Sequence, residues 1–511
     1  MAPVHRSRRV QAAVLILAAI STSCILSLGA LTATGTEFRA DVTLKALLVF
    51  SFVALAALDF KSVVAIAIFE LVLAGTGGHW MTLPGGVSGR IFLDGVVMLR
   101  ALAMIVGDWR RSGRLVLGRY GIHALALALI FPIVWMSIGV LNGNARHDVF
   151  ADGNGFAFFG FILVVIALLA HGQGEWFRRL FFVACAVNGV VTLVLVTITA
   201  TKLVALYPTV SAALLARLEM GGVVGYMGNG AFRLFTGSSL FLQVGLALIA
   251  WRLVTRPRQI WPWLLYAVLS IDLLATYTRG LWVSGAAAVI IVIALGSPTL
   301  KRAALVVAAT AVMWGLIAAG GALNGFSLRD YVFNRSATII SLGPSPSKPS
   351  TPKPSTPKPS SKPKPSSKDV FGEVSNRMRV EQAKILFRYI KKRPVLGYGF
   401  GAVAKDWGPS YAFELSYLAL LFKTGVIGFL LYLSFPLRLL WDALRIRFGR
   451  RSPPQRTVPR GASVAFAIVA SILLAGATNP YLFAAFGIIS ILAGAAWLDD
   501  TEPPATTTGQ A

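Results

Sequence analysis

Long apolar runs separated by short polar breaks repeat along almost the whole chain. They fall at residues 10–33, 44–60, 62–77, 91–107, 120–141, 154–171, 180–204, 235–253, 260–277, 281–297, 303–322, 413–441, 461–478 and 482–498. A helix must supply roughly 20 apolar residues to cross a hydrocarbon core about 30 Å thick, so the pattern predicts about fourteen transmembrane helices, several of them short. The expected fold is an all-α polytopic integral membrane protein with one long loop. Residues 1–322 form a membrane region of about eleven spans, and 413–498 add about three more before a tail at 499–511.

The loop at 323–412 has two parts with different physical chemistry. Residues 344–368 read "PSPSKPSTPKPSTPKPSSKPKPSSK". Frequent proline forbids helix there and nothing can fill a core, so an extended solvated linker is expected. Residues 375–393, "SNRMRVEQAKILFRYIKKR", place Met378, Gln382, Ile385, Leu386, Tyr389 and Ile390 at helical spacing, with Pro394 and Gly397 beyond the end. Cations flank that stripe, which predicts an amphipathic helix lying along the membrane surface.

Composition agrees with the pattern: of 511 residues, 56% are hydrophobic and 14% charged. A net charge of +27 raises the question of nucleic acid, but the cations concentrate in alternate short loops, where membrane topology explains them and no nucleic acid is expected. With a cytoplasmic N-terminus, the basic loops hold Arg6, Arg8 and Arg9; Arg110, Arg111, Arg114 and Arg119; Arg178 and Arg179; Arg252, Arg256 and Arg258; Lys301 and Arg302; and the segment 445–461. Both termini are then cytoplasmic and the long loop is extracytoplasmic, its own basic residues notwithstanding, because long loops translocate largely regardless of charge. The first run, after "MAPVHRSRRV", reads as an uncleaved signal anchor. Cys24 and Cys185 both lie inside apolar runs, so neither a disulfide nor a metal site is expected.

Chemistry gathers on the extracytoplasmic side. There the chain reads "RVEQAKILFRYIKKRPVLGYGFG" and then "FELSYLALLFKTGVIGFLL", while "FRLFTGSS" at 232–239 and "TYTRGLW" at 276–282 lie upstream. In this order the motifs resemble the O-antigen ligase and polymerase superfamily over roughly residues 220–435. The pattern is an arginine opening a short extracytoplasmic helix, a Pro-x-x-Gly-x-Gly exit and a polar residue leading into a Gly-x-x-Gly span. Here it falls on Arg379, Pro394, Gly397, Gly399, Glu414, Gly425 and Gly428.

The resemblance implies transfer of a glycan from an undecaprenyl-pyrophosphate carrier to a glycan or lipid-glycan acceptor, as ligase or polymerase, at the outer face of a bacterial plasma membrane. It implies no metal and no other cofactor; membrane lipids surround the enzyme. Guanidinium forks suit the charge that develops on a departing pyrophosphate. Arg279 and Arg379 are therefore the expected catalytic cations. Arg233, Tyr417 and Arg377 are expected on the substrate-binding side, although Arg377 points away from Arg379 around the helix, as a surface contact would, and Tyr417 also suits an interfacial anchor.

Glu414 stands where the resemblance implies a histidine, and Leu415 where it implies an asparagine. A partly desolvated carboxylate can act as general base; equally, it can pair with a neighbouring arginine. Glu70 is an intramembrane acid expected to bond to a neighbouring span, and Asp272 is expected in helix packing, too far from Arg279 to pair. His79 and His147 lie in unrelated short loops. Other readings are a polyprenyl-phosphate sugar transferase with its base at Glu37 or Asp41, an exporter of polysaccharide or lipid-linked sugar, and a non-catalytic envelope scaffold. Against export, the charges cluster at one face rather than at the midplane.

Overall fold

The computed structural model describes residues 49, 51–73, 88–200, 223–226, 232–297, 299–323, 370–407, 413–449 and 461–499. The first expected span, the 344–368 linker, Glu37, Asp41, His79 and the tail lie outside the described residues. Along the chain run α1 (Phe60–Leu73), α2 (Gly89–Ser112), α3 (Gly118–Ala128), α4 (Ile130–Leu141), α5 (Arg146–Ala157), α6 (Ile162–Ala170) and α7 (Gly174–Ala200). Strands β1 (Val223–Tyr226) and β2 (Phe232–Phe235) follow, then α8 (Leu240–Thr255), α9 (Ile260–Ala275), α10 (Arg279–Gly296) and α11 (Leu300–Leu323). The last helices are α12 (Val370–Lys392), α13 (Ser416–Phe448), α14 (Ala462–Gly476) and α15 (Ala485–Asp499).

Among the described residues six helical stretches are long and apolar enough to cross a membrane: Gly118–Leu141, Arg146–Ala170, Gly174–Thr197, Gly237–Thr255, Arg279–Gly296 and Ser416–Phe448. Helices α9, α14 and α15 are apolar but shorter. These nine coincide with apolar runs in the sequence. Helix α2 is long, yet it carries Arg90, Asp94, Arg100 and Asp108. Its ends follow local rules: the Ser88 hydroxyl accepts from the amide of Ile91, and Gly113 closes the helix at φ 67°.

The expectation of a wholly helical fold needs one correction. Strands β1 and β2 form an antiparallel ribbon in which Val223 pairs with Phe235 and Gly225 with Arg233. Valine and aromatic residues dominate both strands, and such residues favour extended backbone.

Helix α8 lies at the centre, buried around nearly its whole circumference, as a helix apolar on every side must be. It packs against α7, α9, α10 and α14, and α14 in turn packs against α10, α13 and α15. Polar links tie the helix ends into two groups. At one end Arg119 pairs with Asp442 at 2.6 Å, His171 approaches Asp108 at 3.6 Å, and Arg447 donates to the carbonyl of Leu295. That end carries the basic loops. The opposite end carries the glycine-rich loop after α12, the start of α13, the start of α10 and the turn between α14 and α15.

Candidate active site

At Gly425, α13 leaves helical backbone (φ 63°, ψ −172°) and becomes two segments. Such a break frees carbonyls and amides, each costing several kcal/mol if left unsatisfied in hydrocarbon. The loop after α12 fills it. Tyr398 and Gly399 donate their amides to the carbonyls of Phe422 (3.1 Å) and Lys423 (2.8 Å), while Val426 and Ile427 donate theirs to Pro394 (2.8 Å) and Val395 (3.2 Å). The Trp135 indole donates to the carbonyls of Thr424 at 3.0 Å and Leu396 at 3.2 Å.

Two glycines make this approach possible. A β-carbon on Gly425 would lie 2.2 Å from the Val395 oxygen, and one on Gly399, at φ +80°, would lie 2.2 Å from the Gly139 nitrogen. Only a residue without a side chain fits such contacts at positive φ. Pro-x-x-Gly-x-Gly and Gly-x-x-Gly are therefore two halves of one interlocked structure.

A buried ion pair fastens the loop from the other side. Lys423 donates to both Asp152 oxygens, at 2.7 and 2.6 Å, and the Gly401 amide donates to the same carboxylate at 2.6 Å. The two side chains are 6% and 13% exposed. Neither residue was singled out as functional in the sequence. The available signal was a lone lysine inside an apolar run, which requires an acid from another helix.

Helix α12 covers the start of α13. Ile385, Leu386 and Ile390 pack with Ala402, Ala404, Phe413, Ala419 and Phe422, so protein rather than lipid covers most of the expected stripe; Met378 is exposed. This packing brings Arg379 to Glu414: Arg379 Nε donates to Glu414 Oε2 at 2.8 Å, with the side chains 25% and 55% exposed. Buried Gln382, one turn on, accepts from the Leu415 amide at 3.3 Å. Arg377 is exposed, in keeping with a surface contact. The Tyr417 hydroxyl donates to the carbonyl of Leu473 at 2.7 Å and its ring meets Phe429, contacts that suit an anchor. It serves as a clamp between α13 and α14.

Arg279 opens α10 after a tight turn. Tyr277 takes φ 50°, a strained conformation for a residue with a side chain. The turn is braced by the Thr276 hydroxyl donating to the Leu273 carbonyl at 2.7 Å and by the Trp282 indole donating to the same carbonyl at 2.8 Å. Arg279 is 8% exposed. A cation at a helix N-terminus opposes the helix dipole, so helix stability does not explain it.

The start of α10 and the start of α13 meet at one turn. A β-carbon on Gly280 would lie 2.2 Å from the Thr478 hydroxyl and 2.9 Å from Asn479 Nδ2. The Asn479 carbonyl in turn accepts from the hydroxyl of Ser416, two residues after Glu414. Arg279 and Glu414 thus stand at the same end of the bundle, linked through Asn479. The backbone of Arg233 lies on β2, just before the Gly237–Ser239 turn that opens α8; its side chain lies outside the described residues.

Other acids have separate places. Glu70 makes a buried bidentate pair with Arg90, at 2.8 and 3.1 Å, and so bonds to a neighbouring helix as its position required. Asp272 is fully buried among α7, α8 and α9. His147 is exposed beside Asp148. Among the described residues no three His, Cys, Asp or Glu side chains gather closely enough to hold a metal ion.

No curated protein matches the chain. Residues 264–433, from α9 through the break in α13, match the family model described as O-antigen ligase. Over that region, which contains the Arg279 turn, α12, the glycine-rich loop and Glu414, this helical membrane protein is similar to the O-antigen ligase family.

Proposed function

We propose that the protein transfers a glycan from a polyprenyl-pyrophosphate carrier to a glycan or lipid-glycan acceptor at the outer face of the plasma membrane. The observation that carries this reading is the gathering of Arg279, Arg379 and Glu414 at one end of the bundle, opposite the basic loops and inside the matched region. The positive-inside rule puts that end outside the cell.

In the proposed reaction, an acceptor hydroxyl attacks the sugar carbon bonded to the carrier. That bond breaks and pyrophosphate departs with the electron pair. Arg279, buried at the positive end of α10, receives the pyrophosphate charge, and low exposure to water strengthens the interaction. Arg379 has two states. Without donor it pairs with Glu414, and partly exposed pairs of this kind contribute only about 0–1 kcal/mol. Donor pyrophosphate, with more charge and more acceptor oxygens, draws Arg379 away and frees Glu414 to take the proton of the acceptor hydroxyl.

The test is the lipid fraction of cells lacking the protein. Accumulated polyprenyl-linked glycan is expected: a single repeat unit if the enzyme polymerises, a long chain if it ligates. An unchanged pool of lipid-linked intermediates overturns the reading.

A further inference from the structure

The proposed reaction uses one end of the bundle, and a separate group of cations gathers at the other, where the start of α7, the end of α8 and the start of α9 meet. Arg252, in the last turn of α8, lies over the rings of Phe182 (5.6 Å) and Trp261 (5.2 Å), which themselves meet edge to face at 6.1 Å. Its Nε is buried and has no hydrogen-bond partner among the described residues, so the rings set its place. Two more cations are brought against it. The charges of Arg256, just beyond α8, and of Arg179 on α7 act against that of Arg252, while Glu175 acts in its favour. The turn that carries Arg256 is pinned: its amide donates to the Arg252 carbonyl at 2.7 Å, and the Trp263 indole donates to the Pro257 carbonyl at 3.0 Å.

Neither local structure nor topology requires this convergence. A cation in the last turn suits the helix dipole, which accounts for Arg252 alone. The positive-inside rule asks for cations in the loops, not for cations from two loops at one spot. The acid that faces them is already taken, because Glu175 accepts from Arg178 at 3.0 Å and from Arg179 at 2.8 Å. Four arginines thus share one carboxylate, and positive charge is left over. Below the cations the surface turns apolar. Val183 and Val190 follow Arg179 along the same face of α7 by helical spacing, Ile260 and Leu264 flank Trp261 on α9, and all of these are exposed.

We propose that this patch binds an anionic phospholipid of the cytoplasmic leaflet, with Arg252, Arg256 and Arg179 on its headgroup phosphate and its acyl chains along the apolar faces of α7 and α9. Guanidinium forks match phosphate oxygens, and basic pockets between helices on the cytoplasmic side suit such headgroups. The aromatic pair holds one fork in place before any lipid arrives, so little freedom is lost on binding. A free phosphate would meet the same cations, but it has no use for the apolar strip that continues inward from them. The leaflet follows from the basic loops at this end.

The experiment uses the full-length protein in nanodiscs of equal phosphatidylglycerol and phosphatidylcholine, with one lipid or the other dibrominated in its acyl chains. Bromine quenches tryptophan at contact range, and comparing each protein with its Trp261→Phe counterpart isolates the Trp261 signal while keeping a ring beside Arg252. Phosphatidylglycerol is expected to be enriched beside Trp261 by at least about fivefold over phosphatidylcholine. Arg256→Gln, on an exposed side chain, and Arg252→Gln should each lower that preference by roughly fivefold. Arg256→Gln keeps the test decisive should loss of Arg252 disturb the ring pair. Arg110→Gln combined with Arg114→Gln removes exposed charge from the same end and should leave the preference within about twofold. Equal quenching by the two lipids, or a preference that neither patch variant lowers, overturns the proposal. An equal loss in the Arg110 and Arg114 double variant overturns it too, by making the effect one of general surface charge. Loss of the preference on adding inorganic phosphate at constant ionic strength identifies a free-phosphate site and also overturns it.

Discussion

Glu414 and Arg379 sit 2.8 Å apart, yet more than half of the Glu414 side chain is left uncovered by protein. At that exposure water screens the pair, and its loss costs little stability. This separates a catalytic role from a structural one. Glu414→Gln is expected to keep the protein's unfolding temperature and donor affinity nearly unchanged while lowering single-turnover transfer on the order of 100- to 10,000-fold. Near-normal transfer would exclude Glu414 as the base and leave the arginines' stabilisation of departing pyrophosphate as the main catalytic effect. Arg379→Lys should instead weaken donor binding, since lysine keeps the charge but not the two-pronged fork. The buried Lys423–Asp152 pair behaves differently: removing one partner strands a charge in low dielectric, which typically costs about 3–5 kcal/mol. That pair holds the loop; the exposed pair beside it is free to exchange partners.

Helix α13 is best understood as two half-helices joined by a graft. Its backbone groups at the break are satisfied by the 394–399 segment, so backbone hydrogen bonds tie the loop that follows α12 to both halves of α13. Gly425→Ala tests this. A β-carbon there lies 2.2 Å from the Val395 oxygen and forces an L side chain to φ 63°. Loss of more than about 2 kcal/mol of stability is expected, read as a lowered unfolding midpoint and loss of folded protein after detergent extraction. Ala at exposed Gly143, where φ is 76° but no atom lies within 4 Å of the new β-carbon, carries the conformational cost without the clash and should be milder. Equal effects at the two positions would mean that the graft is not what holds α13.

For the molecule as a whole, the sorting of charge by end makes a prediction about orientation. Lys391 on α12 and Lys301 at the start of α11 are both exposed, at opposite ends of the bundle. In a background with Cys24 and Cys185 replaced by serine, Lys391→Cys should react with an impermeant thiol reagent on intact cells. Lys301→Cys should react only once the membrane is opened. The reverse pattern would put Arg279, Arg379 and Glu414 on the cytoplasmic side and end the outer-face reading.

Periodic apolar runs and basic loops were enough, without coordinates, to indicate a helical membrane protein and nine helices now seen, because lipid forces each span to satisfy its own backbone and to show apolar side chains. The motif order was enough to single out Arg279, Arg379 and Glu414. Other features depended on tertiary contacts between distant segments. Whether Glu414 is free or paired turns on where α12 packs, 35 residues away in the chain. Only the fold shows that the Tyr417 hydroxyl meets the carbonyl of Leu473 and that α5 supplies Asp152 to Lys423. The glycines were legible as a pattern, but their purpose was not. A glycine required by a backbone atom from another segment carries no mark in its own neighbourhood, and only the fold brings the two together.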